Sequence, residues 1–245
     1  MNTASNQAQV ALAPEPRNAV SAPTRSALAL GLVGSLGEEL LAALVSASEY
    51  RAVHVGVTQM IGTAAHRFRP WLVGHGTPAV DDAFIGVTGE ETFVPKASPI
   101  RRYRETDLLG AARIAREAGA TTLVVIAPLP ALLQMGEATR LLSSTDEVAL
   151  VELGFERLIF VRPTAADDLR RSSNVLRNLV RGAGRAMADL MLPPYTKALS
   201  ARSASRAIVE AMRSAKPGVT VLGAKELAAI VQARFPALAK KRRWP

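Results

Sequence analysis

From residue 27 onward the chain alternates short, nearly unbroken apolar runs with longer stretches in which apolar side chains recur every three or four positions. Runs of the first kind suit strands covered on both faces, and stretches of the second suit helices with one buried side. The first run, ALALGLV at 27–33, predicts a strand. EELLAALVSAS at 38–48 predicts a helix on which Leu40, Leu41, Leu44 and Val45 share a face. Further strands are predicted at RAVHVGV (51–57), DDAFIGVTG (81–89), TTLVVIAPLP (121–130), RLIFVRP (157–163) and VTVLG (219–223). Helices are predicted at 105–119, 135–154, 173–191, 200–215 and 224–235, the first of these with Thr106 or Asp107 as cap and Gly119 as stop. The stretch RFRPWLVGHGTP, 67–78, has no period and reads as irregular.

Such alternation is the signature of βαβ units. No repeat or linker interrupts it, which predicts one α/β domain over 27–239. Its architecture is a doubly wound parallel sheet of Rossmann type, with helices on both faces and a ligand crevice at the carboxyl ends of the strands. Residues 1–26 mix Ala, Ser, Asn, Gln and Pro without period and read as a disordered arm; 240–245, KKRRWP, read as a basic tail.

Composition narrows the chemistry. There is no cysteine, and the three histidines, His54, His66 and His75, show no pair at helical ligand spacing, so no metal site is expected. No basic start leads into an apolar stretch as in a secretory signal, and no run reaches the roughly 20 apolar residues of a membrane span, which predicts a cytoplasmic protein. The net charge of +9 is unevenly spread: 12 basic and 16 acidic residues stand between Met1 and Glu156, against 18 and 5 from Arg157 to Pro245. In that last third Arg177, Arg181 and Arg185 fall at i, i+4, i+8 on one helix face. They form either a solvated face or a surface for an acidic partner, and a protein partner or a second copy of the chain is the expected company. With 4% aromatic residues, stacking platforms are scarce, and nucleic acid is not an expected partner.

Gly31, Gly34 and Gly37 stand where the first predicted strand gives way to the first helix. Glycines at such a turn permit a tight reversal and let backbone approach a pyrophosphate, while the helix N–H groups attract its charge. The spacing is Gly-x-x-Gly-x-x-Gly, not the commoner Gly-x-Gly-x-x-Gly. Position therefore argues for a nucleotide crevice more than the letters do, the alternative being a plain tight turn.

Five segments carry a wider likeness: GLVGSLG (31–37), VDDAFIGVTG (80–89), ETDLLGAARIAREAGATTLVVIA (105–127), VALVELGFERLIFVRP (148–163) and RSASRAIVEAM (202–212). In this order they resemble an atypical short-chain dehydrogenase/reductase over about residues 27–232, most nearly the branch of Tat-interacting-protein-like oxidoreductases and NmrA-like regulators. The resemblance implies NAD(P) on the glycine loop, with Gly31, Gly34, Ser35, Leu36, Gly37, Thr58, Gly86 and Thr88 as the contacting set. It further implies a Tyr-x-x-x-Lys pair on the helix before Leu153, Gly154 and Phe155. In the family the tyrosine exchanges the substrate's hydroxyl proton, and the lysine one turn on lowers its pKa and holds the nicotinamide ribose. A strand-end serine or threonine polarises the carbonyl.

Counting back from Leu153, a family glutamate falls on Glu147, the lysine position on Ser143 and the tyrosine position on Thr139; the strand-end hydroxyl falls at Ala127 or Pro128. All three working groups are absent, and a serine or threonine hydroxyl does not titrate near neutrality. No catalytic residue is expected at the family positions. Tyr195 with Lys197, or Tyr103, would have to substitute.

The residues after the second strand are equally uninformative about the nucleotide. An arginine there selects NADP and an acid selects NAD, but Val57, Thr58 and Gln59 are neither. Arg51 stands at the wrong end of the strand, and Arg67 or Arg69 reaches back only if the intervening loop folds over. Adjacent Asp81 and Asp82 would face opposite ways in a strand and mark its entrance. Glu90 and Glu91 would repel phosphate unless turned to solvent. Ser172 and Ser173 lack both a Gly-x-Ser-x-Gly elbow and a downstream histidine. The leading expectation is a catalytically degenerate family member holding NAD(P) in a structural, regulatory or accessory role. The alternatives are an NAD(P)-dependent oxidoreductase with relocated residues and an interaction protein working through its basic final third.

Overall fold

A computed structural model describes residues 24–62, 65–88, 98–127, 144–163 and 199–236. Among these, seven strands form one sheet: β1 (Arg25–Leu30), β2 (Tyr50–Val57), β3 (Phe68–Leu72), β4 (Asp82–Gly86), β5 (Thr122–Ile126), β6 (Arg157–Val161) and β7 (Gly218–Leu222). Their order is β3-β2-β1-β4-β5-β6-β7, and every pairing is parallel. The helices are α1 (Gly34–Ser46), α2 (Leu108–Glu117), α3 (Ser144–Glu152), α4 (Ala201–Ser214) and α5 (Ala224–Arg234). This is the doubly wound α/β architecture that the alternation predicts. The strand order reverses between β1 and β4, which puts the ligand crevice of such a sheet over the carboxyl ends of that pair.

Alternate strand residues supply two separate cores, because successive side chains point to opposite faces. Ala27, Ala29, Val53, Val55, Phe84 and Ile159 pack beneath α1, α4 and α5. Leu28, Leu30, Ile85, Leu123, Val125 and Phe160 pack beneath α2 and α3. β1, β4, β5 and β6 are covered on both faces and so need apolar residues at nearly every position, and the unbroken runs of the sequence follow.

The structure departs from the sequence pattern in three places. β1 begins at Arg25, so Arg25 and Ser26 belong to the sheet and not to the arm, and it ends at Leu30, where Gly31 turns the chain out. α1 accordingly starts at Gly34, four residues before the predicted helix. β3 lies inside the stretch read as irregular: it is an edge strand, half-exposed throughout, with a charged Arg69 and a proline that an edge tolerates. The remainder of the arm, the predicted helix at 173–191 and the basic tail lie outside the described residues. None of the described helices is long and apolar enough to cross a membrane.

The amino ends of the central strands are tied by polar groups. Asp82, fully buried, accepts from Arg25 Nη2 at 2.5 Å and from Tyr50 Oη at 2.9 Å, joining β4 to β1 and β2. Asp81 accepts the Ser26 N–H at 2.7 Å, and Arg51 Nε donates to Ser26 Oγ at 3.0 Å. The adjacent acids therefore do mark a strand entrance, and Asp82 is its keystone.

Candidate functional site

At the opposite, carboxyl end, Gly31 takes φ +65° and its carbonyl accepts the Val33 N–H at 2.9 Å, so the chain leaves β1 in one tight turn. Gly34, the first residue of α1, is also left-handed at φ +73°. Side chains are excluded from this corner by geometry. A Cβ on Gly31 would overlap the Gly86 carbonyl oxygen, one on Gly86 would stand 2.5 Å from the Gly31 oxygen, and one on Gly37 would overlap the Leu32 backbone. The glycines let β1 and β4 close together and let α1 descend onto its own loop.

What remains is a small crevice, open to solvent, lined by residues 31–33, Leu36, Gly37, Leu40, residues 86–88 and Ile126. It sits at the switch point of the sheet. The first turn of α1 borders it and carries no acidic residue. A helix leaves its first N–H groups without intrahelical acceptors, and the dipole adds positive potential there, so this edge is suited to a phosphate.

Of the predicted contacting set, Gly31, Leu36, Gly37, Gly86 and Thr88 line the crevice, while Gly34 and Ser35 open the helix beside it. Thr58 does not line it. The reason is a segment that sequence reasoning missed: residues 98–103 run across the carboxyl ends of β2 and β4, above the place where β1 has already turned away. Thr58 N–H and Oγ both donate to Pro99 O, at 2.8 and 3.1 Å, and Arg101 N–H donates to Gly56 O at 3.2 Å. At the other end Thr88 N–H and Oγ both donate to Tyr103 O, at 2.9 and 3.1 Å. Isolated bridges join Ile100 to Val57 and Tyr103 to Val87. The two threonine hydroxyls predicted to meet a nucleotide thus hold this strap. Its short bridges have no period, and no sequence signal could have revealed them.

Tyr103 anchors the strap. Its ring packs against Gly31, the Arg101 guanidinium carbon lies 5.3 Å from the ring centroid, and the residue is 2% exposed. Its hydroxyl is buried with no hydrogen-bond partner among the described residues. Burial pushes the phenol pKa above its usual value, only partly offset by the Arg101 charge, and the nearby Asp107 adds to the rise. Because the hydroxyl has no partner among the described residues, Tyr103→Phe is expected to change stability by no more than about 1 kcal/mol, in the stabilising direction if at all. Urea denaturation of the two proteins checks this.

The other arginines considered for the nucleotide face elsewhere. Arg51 is engaged with Ser26 at the amino end, Arg67 Nη1 donates to Ala47 O at 2.7 Å, and Arg69 lies exposed on β3 opposite His54. Ala127, the family's strand-end position, follows β5; it is buried and its N–H donates to Val161 O at 3.0 Å. Pro128, Thr139, Ser143, Tyr195, Lys197, Glu90, Glu91, Ser172, Ser173, Arg177, Arg181 and Arg185 lie outside the described residues. Among the described residues no three His, Asp or Glu side chains gather as a metal site would require.

No protein-family model matches the chain, and no curated protein matches it. Solved structures do. WbmF of Bordetella bronchiseptica, in complex with NAD+ and UDP, is 12% identical with a TM-score of 0.46, over 87% of this chain and 78% of its own. A short chain dehydrogenase family protein from Francisella tularensis is 11% identical with a TM-score of 0.42, over 84% and 99%. The ADP-L-glycero-D-manno-heptose-6-epimerase of Helicobacter pylori is 11% identical with a TM-score of 0.43, over 86% and 83%. The fold itself stands on the strand order and parallel register given above.

Proposed function

We propose that this protein binds NAD(P) in the crevice between β1 and β4 and performs no hydride-transfer chemistry of its own, serving a structural, regulatory or accessory role. The observation that carries this reading is the corner built by Gly31, Gly37 and Gly86: closely packed backbone beside an acid-free helix N-terminus at the switch point of the sheet. Pyrophosphate needs close backbone and a positive helix end with no acid beside it, and the corner and the first turn of α1 offer these. The bound nucleotide would bring hydride chemistry. The chain's own part would be to hold the pyrophosphate and fix the orientation of the rest.

Residue types support the absence of turnover. Ala127, Thr139 and Ser143 stand at the family's three working positions. The described tyrosine nearest the loop, Tyr103, has its pKa pushed upward by burial, away from the neutral range in which an acid-base group works best.

Calorimetric titration of the full chain with NAD, NADH, NADP and NADPH tests the reading, with mass spectrometry of any co-purifying ligand and a turnover assay on a panel of carbonyl substrates. Binding of at least one nucleotide without turnover is the expected result. Absence of binding overturns the proposal, and so does turnover that is lost in a Thr139, Tyr103 or Tyr195 variant.

A further inference from the structure

We infer that the strap makes the crevice selective for a nucleotide carrying a ribose 2′-phosphate, NADP(H) over NAD(H), and that Arg101 is the selecting residue. This rests on the nucleotide reading above and extends it. In doubly wound folds the choice is made at the carboxyl end of the second strand, where an acid takes the ribose hydroxyls or an arginine takes the added phosphate. Here Thr58, directly after β2, is withdrawn from that task, because it is bound through both N–H and hydroxyl to Pro99, and Gln59 carries no charge. The strap itself lies on that strand end, with its bridge at Val57 and Ile100 and its Arg101 N–H on Gly56 O.

The strap brings cation and no anion: residues 98–104 read SPIRRYR, with Arg101 exposed. Arg101 is also positioned. Its guanidinium lies over the Tyr103 ring, and that ring packs against Gly31 at the head of the glycine loop. A guanidinium stacked on an aromatic face keeps the N–H groups of its edge for an acceptor, and its planar fork matches phosphate oxygens. The arrangement puts a preordered phosphate ligand beside the strand end where a 2′-phosphate would arrive. An NAD ribose, with two hydroxyls to place, would find no carboxylate among residues 56–62 or 98–104.

The test compares NADPH with NADH, and adenosine 2′,5′-bisphosphate with adenosine 5′-monophosphate, by calorimetry on the full chain at low ionic strength, where an exposed charge is least screened. The wild-type chain should bind the 2′-phosphorylated member of each pair at least about tenfold more tightly, the worth of one charge-assisted hydrogen bond. Arg101→Ala should abolish most of that preference while leaving NADH affinity unchanged. Arg101→Gln, which keeps the stem over Tyr103, should do the same, and Arg101→Lys should retain part of it. Equal affinity of the wild type for NADPH and NADH overturns the inference while leaving the nucleotide reading intact. A weakening of NADPH and NADH to the same extent by Arg101→Ala and Arg101→Gln overturns it too. Failure of all four compounds to bind overturns both.

Discussion

Asp82→Ala is expected to lower the unfolding free energy by about 3 kcal/mol, from a buried hydroxyl left without an acceptor and the void left by the carboxyl. The carboxylate is fully buried and bonds two partners whose fates differ on truncation. Arg25, with about a third of its side chain exposed, can turn to solvent. Tyr50 is fully buried and cannot, so its hydroxyl is left without an acceptor beside a new void. For a chain of this length such a loss corresponds to a fall in Tm of roughly 6–12 °C, read by calorimetry or circular dichroism. Asp82→Asn should be milder, since it keeps an acceptor and fills the space. Its cost should also depend on pH. Burial raises the Asp82 pKa, outweighing the Arg25 charge and the Tyr50 hydrogen bond, so the ionised form is the disfavoured one in the fold. A raised folded pKa contributes stability that is present below the unfolded value and is lost as pH rises through the folded value. The gap between wild type and Asp82→Asn should therefore be widest in acid and narrow toward neutrality. A gap that widens with pH would show that Arg25 dominates instead.

That keystone was half legible in the sequence. The adjacency of Asp81 and Asp82 before an apolar run announces a strand entrance, but the partners of Asp82 lie 57 and 32 residues away, and nothing local marks them. The same gap moved the start of β1. Arg25 and Ser26 are polar and follow a stretch without period, and what recruits them to the sheet is Asp82 and the Asp81 carboxylate. β3 was lost for a related reason: an edge strand is wetted on one side, so Arg69 and Pro70 are permitted and the apolar run that betrays a central strand is missing. The interior strands were legible because each is buried on both faces.

The site was legible where backbone conformation forced residue type and illegible where chain crossed chain. Gly31 is required by a left-handed turn and a neighbouring carbonyl, and such requirements leave a glycine in the sequence. Thr58 and Thr88 were rightly placed at strand ends, yet their hydroxyls are held by Pro99 and Tyr103, a pairing that only the folded chain creates. The strap also changes where a selecting charge is to be sought, because it sets Arg101 beside the end of β2 from some 40 positions further along the chain.

Gly31→Ala should have the second large effect, and three alanine variants separate its causes. Gly74→Ala sits at φ +96° with open space around the would-be Cβ, so it reports the conformational penalty alone, on the order of 1 kcal/mol. Gly86→Ala places a Cβ 2.5 Å from the Gly31 oxygen in a strand, where backbone conformation is no obstacle, so it reports the contact alone, about 1–3 kcal/mol as for other overpacked sites. Gly31→Ala combines a left-handed φ with overlap of the Gly86 oxygen and a Tyr103 ring carbon at 3.1 Å, and should lose at least as much as the other two together. Because the nearest atom is backbone, relief requires β1 and β4 to part, and their parting moves the wall of the crevice. Folded Gly31→Ala and Gly86→Ala should therefore bind nucleotide at least about tenfold more weakly. Gly74→Ala should bind as the wild type does. Were Gly31→Ala to lose stability while keeping full nucleotide affinity, the corner would be a packing device only, and the crevice would owe its ligand to other groups.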